Sequence, residues 1–121
     1  ASLTGSGKGL SFNNTATSLT VDTTGGVTGI ATNAGTVSLS TTTAGDITLN
    51  QNVNVGTSAT TLTAAGRIIQ TARAITAKSL GVAAVKAVLL NGNNAVGTLA
   101  ASLSNSGDVF EFTNDSTNLT I

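Results

Sequence analysis

Short apolar runs alternate with turn clusters along the whole chain. The runs are SLTV (18–21), TVSLS (36–40), DITLN (46–50), VNV (53–55), TTLT (60–63), RIIQ (67–70), AITA (74–77), SLGV (79–82), AVLL (87–90), VGTLA (96–100), VFEF (109–112) and NLTI (118–121). Between them lie TTGG, NAG, TTTAGD, NGNN and SNSG, clusters of residues that accept tight-turn geometry. Strands this short, joined without a long linker, predict an all-β domain. One stretch, TARAITAKSLGVAAVKAVLL (71–90), is rich in good helix formers. Ser79, Gly81 and Lys86 interrupt its helical face, so it too is read as strands.

The runs share a longer beat. One aliphatic series, Leu10, Ile30, Leu49, Ile69, Leu90 and Phe110, advances in steps of 20, 19, 20, 21 and 20 residues. A second, Leu19, Leu39, Leu62, Leu80, Leu99 and Leu119, advances in steps of 20, 23, 18, 19 and 20. The two ends also resemble each other. Ala101–Ile121 laid under Ala1–Val21 matches at ten of 21 positions without a gap, Thr17/Thr117 and Thr20/Thr120 among them. A fixed period built from strands and turns marks a repeat architecture. A β-sandwich also uses short strands and regular turns, but it gives like residues no reason to recur at one phase. The chain therefore reads as a parallel β-helix, or β-solenoid, with coils of about 20 residues, right-handed because parallel crossovers nearly always are. Residues 1–121 form a single solenoid segment on this reading. It comprises a 100-residue superrepeat of five coils (1–100) and the start of the next (101–121). At strand spacing, five coils advance about 24 Å. Both ends read as mid-array strands without caps, which predicts a piece of a longer array.

Composition narrows the chemistry. Thr, Ser, Asn and Gly supply about half the residues, and only 8% are charged, with a formal net charge of zero. There is no His, Cys, Trp, Tyr, Met or Pro. Thiolate and imidazole chemistry are absent from this stretch, and no cofactor is expected. A basic patch with aromatic platforms, the signature of a nucleic-acid binder, is missing, as is an apolar run of membrane-spanning length.

The segments TGGVTGIATNAGTVSLSTTTAGDITLNQNV (23–53), TLTAAGRIIQ (61–70), AITAKSLGV (74–82) and VLLNGNNAVGTLAA (88–101) resemble repeats of filamentous-haemagglutinin-like exoproteins. These are giant surface adhesins of Gram-negative bacteria exported by two-partner or autotransporter routes. The resemblance implies a non-catalytic shaft segment of a secreted fibre or adhesin, located extracellularly or at the bacterial cell surface. Its implied partners are identical repeats stacked end to end, laterally associated copies, and a host glycan or cell surface.

Individual residues add little to that expectation. Asp108, Glu111 and Asp115 form the densest acidic group and are the candidates for a hard cation, although they lack any calcium-loop spacing. Arg67, Arg73, Lys78 and Lys86 read as solvent-facing corner residues. Asn50, Asn52, Asn54, Asn91, Asn93 and Asn94 read as corner residues that tolerate left-handed backbone and stack their amides. Asn13, Asn114 and Asn118 open N-x-[ST] triplets at about the frequency expected by chance in so Ser- and Thr-rich a chain. Phe12, Phe110 and Phe112 fall on interior phases. Two alternatives remain beside the shaft. A continuous Thr face would bind ice or glycan, and a carboxylate cleft would mark a polysaccharide-degrading β-helix.

Overall fold

The computed structural model describes residues 1–116 and 118–121. The chain winds as a β-solenoid whose laps each carry three short strands. The first lap holds β1 (Ser2–Ser6), β2 (Leu10–Asn14) and β3 (Ser18–Val21), followed by a hairpin of β4 (Thr23–Thr24) and β5 (Val27–Thr28). The second holds β6 (Ile30–Asn33), β7 (Val37–Thr41) and β8 (Asp46–Leu49), and the third β9 (Val53–Asn54), β10 (Ala59–Ala64) and β11 (Ile68–Gln70). Above these, β12 (Ile75–Ala84) and β13 (Val88–Leu103) run through the corners, and β14 (Phe110–Asn114) closes the stack. No helix is present among the described residues, and the 71–90 stretch is strand and turn.

Every ladder of the coil is parallel, which gives three faces. Face A stacks β1, β6, β9, the start of β12 and the middle of β13. Face B stacks β2, β7, β10, the end of β12 and the end of β13. Face C stacks β3, β8, β11, the start of β13 and β14. The antiparallel exception is β4 with β5. Its two-residue turn, Gly25–Gly26, has φ of 60° and 79°, and positive φ at both positions is what a tight hairpin turn of this hand demands.

Alternation of inward and outward side chains builds the interior. Face B turns in Leu39, Leu62 and Val82 in register, and Leu80 over Thr60 and under Leu99. Face C turns in Leu19, Ile47, Ile68, Val88 and Phe110. Face A turns in Ile30, Val53 and Ile75. Ile47, Leu62, Ile68, Ile75 and Val88 are all fully buried. The coil thus fills itself with its own aliphatic side chains. That burial, at about 25 cal/mol per Å² of apolar surface, is its main source of stability.

The laps are longer and less even than a 20-residue beat. A lap takes 23 residues from Ile30 to Val53, 22 from Val53 to Ile75 and 19 from Thr76 to Ala95. The first, with its inserted hairpin, takes 29 from Ser2 to Ala31. Corner length causes the drift. Gly56, Thr57 and Ser58 separate Val55 from Ala59 in the third lap, whereas Lys78 alone turns the same corner in the fourth.

The two aliphatic series therefore do not stack as the period predicts. Leu10 lies on face B, Ile30 on face A, and Leu49, Leu90 and Phe110 point inward from face C. Ile69 points outward between Thr48 and Leu89 and is only half-buried. In the second series Leu39 does lie under Leu62, and Leu80 under Leu99. Between those pairs the register slips by two residues, because Leu62 meets Val82. Leu19 belongs to face C, and Leu119 is 36% exposed. All inward members still feed one core, with Leu10, Leu19, Phe110 and Phe112 packed at its margins. Phe12 lies in register with Leu39 at the first lap and stays 47% exposed.

One interior group is out of place. Thr60 is fully buried between Val37 and Leu80, and its Oγ1 has no hydrogen-bond partner. Buried Thr41 differs, since its hydroxyl donates to the Gly45 carbonyl at 2.6 Å and accepts from the Ala65 N–H at 3.2 Å. An unpartnered buried hydroxyl costs about 1–3 kcal/mol, so Thr60→Val is expected to raise stability by roughly 1–2 kcal/mol. A urea midpoint at or below that of the parent chain would contradict this.

Candidate functional site

The outward rungs are the surfaces available for function, and their chemistry differs from face to face. Face B presents Ser11, Ser38, Thr61, Gly81 and Ala100 on one rung and Asn13, Ser40, Thr63, Ala83 and Ser102 on the next. It is a flat surface of small, uncharged side chains. Face A presents Ser2, Ala31, Asn54, Thr76 and Ala95. Face C presents Thr20, Thr48, Ile69, Leu89 and Glu111. Thr does not persist through the laps on any of these rungs, so the continuous Thr array of an ice-binding surface is not built. Of the Thr matches between the chain ends, Thr117 lies outside the described residues. Thr120 bridges to Thr98 rather than sharing a rung with Thr20.

The corner between faces C and A carries a polar ladder. Asn50 Nδ2 donates to Asp22 Oδ2 at 2.9 Å, and Thr71 Oγ1 donates to Asn50 Oδ1 at 2.9 Å. Two positions after Asn50, Asn52 Oδ1 accepts the Ala74 N–H at 2.9 Å. Higher up, Asn91 Nδ2 donates to Glu111 Oε2 at 2.6 Å. Asn50, Asn52 and Asn91 thus join neighbouring laps from corners, through Asp22, Thr71, the Ala74 N–H and Glu111 instead of by stacking amide on amide. Asn54 lies in β9 and accepts the Gly56 N–H within its own lap. These asparagines do not supply the left-handed backbone. Among the described residues, the non-glycine positions with positive φ are Ala34, Ala44 and Arg73.

The Asn50 amide, then the Thr23 N–H, hold the exposed Asp22 carboxylate below the usual aspartate range. The ionised form is the one stabilised. Its contribution is therefore present above the ordinary aspartate range and lost as pH falls through the lowered value. Asn50→Ala should move the Asp22 titration back up toward a normal aspartate, followed by carboxyl-carbon NMR. An unmoved midpoint would remove the Asn50 bond as the cause.

Asn94 does not behave as a corner residue. It is fully buried and faces the interior above Ile75. Its Oδ1 accepts from Gln70 Nε2 at 2.9 Å and from the Ile75 N–H at 2.8 Å. Its Nδ2 donates to Gln70 Oε1 at 3.1 Å, to the Leu90 carbonyl at 2.9 Å and to the Thr113 carbonyl at 3.1 Å. Asn114, its partner in the next lap, accepts the Val96 N–H at 2.9 Å. The aliphatic stack of face A is thus continued by two amides, Asn94 fully buried and Asn114 half-buried. Strict alternation through Val88, Leu90, Gly92, Asn94 and Val96 was the signal that places Asn94 inside. The NGNN cluster, read as a turn, obscured it.

The acidic candidates are not brought together. Asp108 lies before β14 and accepts from Asn105 Nδ2 at 2.5 Å. Glu111 faces out from β14, and Asp115 follows the strand with its N–H donating to the Asn94 carbonyl at 2.7 Å. Four residues of extended chain put Glu111 and Asp115 about 13 Å apart along the strand. No group of three metal-ligating side chains occurs among the described residues.

Arg67, Arg73, Lys78 and Lys86 are all exposed at corners. They are spread around the coil instead of forming one patch. Of the three N-x-[ST] asparagines, Asn13 and Asn118 are exposed. Asn114 is half-buried, with Nδ2 held by Ser116 Oγ at 2.6 Å and by the Val96 carbonyl at 3.2 Å.

Two of the concave regions on the surface lie at the first lap and at the corner between faces C and A. At the first lap a cavity of about 270 Å³ is lined by Leu10, Phe12, Leu19, Ile30 and Leu39, together with hairpin residues Thr24 and Val27. Its lining is the lowest layer of the core. A shallow groove of about 640 Å³ lies at the corner by Asn52, Arg73, Asn91 and Asn93. Neither holds paired carboxylates.

These features define a β-solenoid, a class in which the interior is structural and function resides on faces, corners and ends. Comparison with family models, curated proteins and solved structures returns no match for this chain.

Proposed function

We propose that this chain is a structural shaft segment of a secreted bacterial surface fibre or adhesin, in which stiffness and length, not chemistry, are the function. The observation that supports the reading best is the stack of parallel strand pairs on all three faces, with register shifts in the β1–β6 and β13–β14 pairs, filled from within mainly by aliphatic side chains. Backbone hydrogen bonds in such a coil run along its axis, so pulling on the axis loads many of them together. The mostly uncharged exterior of faces A and B suits lateral contact between shafts.

Both ends favour association with identical copies. The first lap leaves Phe12 and Val27 47% and 42% exposed, and the last leaves Val109, Leu119 and Ile121 47%, 36% and 91% exposed. Such an end carries strand edges beside apolar side chains, which is a template for another strand. Stacking of unlike ends is a heterologous contact and gives open filaments. Sedimentation velocity over rising concentration, with negative-stain images of the same samples, tests this. The expected result is growth in length at constant width. A sharply monomeric species at the highest concentration would contradict it.

A further inference from the structure

We propose that the Asn91–Gly92 bond is a deamidation site guarded by the fold, at which the chain is chemically modified once its upper laps open. Of the 12 asparagines, Asn91 alone precedes glycine. Glycine opposes the reaction least, because no side chain crowds its nitrogen and its backbone is the most mobile. The Gly92 nitrogen attacks Asn91 Cγ. A C–N bond forms and closes a five-membered succinimide, the Cγ–Nδ2 bond breaks, and ammonia departs with the proton the backbone nitrogen gives up. Water then opens the ring at either carbonyl, leaving aspartate or isoaspartate. No other reactant is needed.

The structure ties down both reacting groups. The Gly92 N–H donates to Gln70 Oε1 at 3.0 Å, in the lap below. Asn91 Nδ2 donates to Glu111 Oε2 at 2.6 Å, in the lap above. Both residues lie within β13. Gly92 is packed so closely that a Cβ there would run into the Arg73 carbonyl oxygen and the Gln70 amide. Nucleophile and electrophile are therefore held apart while the side chain of Asn91 stays exposed to water. The reaction waits on local opening.

Its product would not fit back. Aspartate at position 91 puts a carboxylate oxygen where the Asn91 amide now meets Glu111, its diagonal neighbour on the next strand, and like charges brought that close are destabilising. Isoaspartate adds a methylene to the backbone three residues before Asn94, shifting the strand that seats the buried amide.

Asn105 provides an internal comparison. It precedes Ser106 in an exposed turn, where its side-chain amide donates to Asp108. The purified chain is incubated in mildly alkaline buffer, with and without denaturing urea, and conversion at each asparagine is followed by peptide mass spectrometry. In urea Asn91 should convert fastest. In native buffer the order should reverse, with Asn91 slowed at least about tenfold and Asn105 ahead of it, because folded-state reaction requires opening. Glu111→Ala, an exposed change that frees the Asn91 amide, should raise the native rate at Asn91 severalfold. Equal rates at Asn91 with and without urea, or an unchanged rate in Glu111→Ala, would overturn the proposal.

Discussion

Asn94→Leu is expected to be the most damaging single substitution in this chain, costing about 3–6 kcal/mol and releasing the upper laps. Leucine keeps the branched shape, is bulkier, and makes none of the five hydrogen bonds that Asn94 forms with Gln70, Ile75, Leu90 and Thr113. It strands the Ile75 N–H, the Leu90 and Thr113 carbonyls and part of the Gln70 amide away from water. Each such buried group costs about 1–3 kcal/mol. Against a typical domain stability of about 5–15 kcal/mol, that is enough to unfold much of the population. Removing the second side chain as well, in Gln70→Leu with Asn94→Leu, should recover part of the loss, because an apolar pair no longer orphans an amide. Hydrogen exchange would show the change first in β13 and β14. An Asn94→Leu chain with parental protection there would remove the buried amide from the account.

The second large effect separates two adjacent isoleucines. Ile68 is fully buried and stacks between Ile47 and Val88, whereas Ile69 faces out beside Thr48 and Leu89. Ile68→Ala should cost about 2–5 kcal/mol, the range for truncating a buried aliphatic. Ile69→Ala should cost about 1 kcal/mol or less, as half-exposed substitutions do. The comparison tests register directly, because the even 20-residue beat assigns Ile69 to the core. Urea midpoints for the two variants decide between them, and a greater loss in Ile69→Ala would reverse the assignment of the inner face.

The same two residues show what could be read from the chain alone. Fold class was legible because each lap repeats one local rule: a short β-branched or aliphatic run, then a turn of Gly, Asn, Ser or Thr. Register was not legible, because corner length is free to vary. Lys78 turns in one residue the corner that takes Gly56, Thr57 and Ser58 one lap earlier. Each such change slides an evenly spaced series from one inward column to another, or to the outside, as at Ile69.

The likeness of the chain ends is also real in sequence but differently placed in space. Phe12 pairs with Leu39 on face B, and Phe112 pairs with Leu90 on face C. Leu3 lies on face A, and Leu103 on face B. The 100-residue interval therefore amounts to four laps and about one face, not to five laps. Leu103 and Phe112 thus each lie one face further round than Leu3 and Phe12.

Polar positions divide in a similar way. The ladder through Asp22, Asn50 and Thr71 follows from putting Asn at corners, where an amide can span neighbouring laps. Asn94 required the alternation of β13 to be followed through residues whose composition signals a turn. Thr60 gives no sequence signal at all, since Thr suits either face of a strand.

Distances between spin labels along one outward rung measure the winding itself. Ser11, Ser38, Thr61, Gly81 and Ala100 lie on successive strands of face B. Labels at Ser11 and Thr61 should lie about 10 Å apart, and labels at Ser11 and Ala100 about 19 Å apart, before allowing for label reach. The parallel coil predicts this linear rise with lap number. Distances that do not grow with lap number, or that place Ser11 far from Thr61, would contradict it.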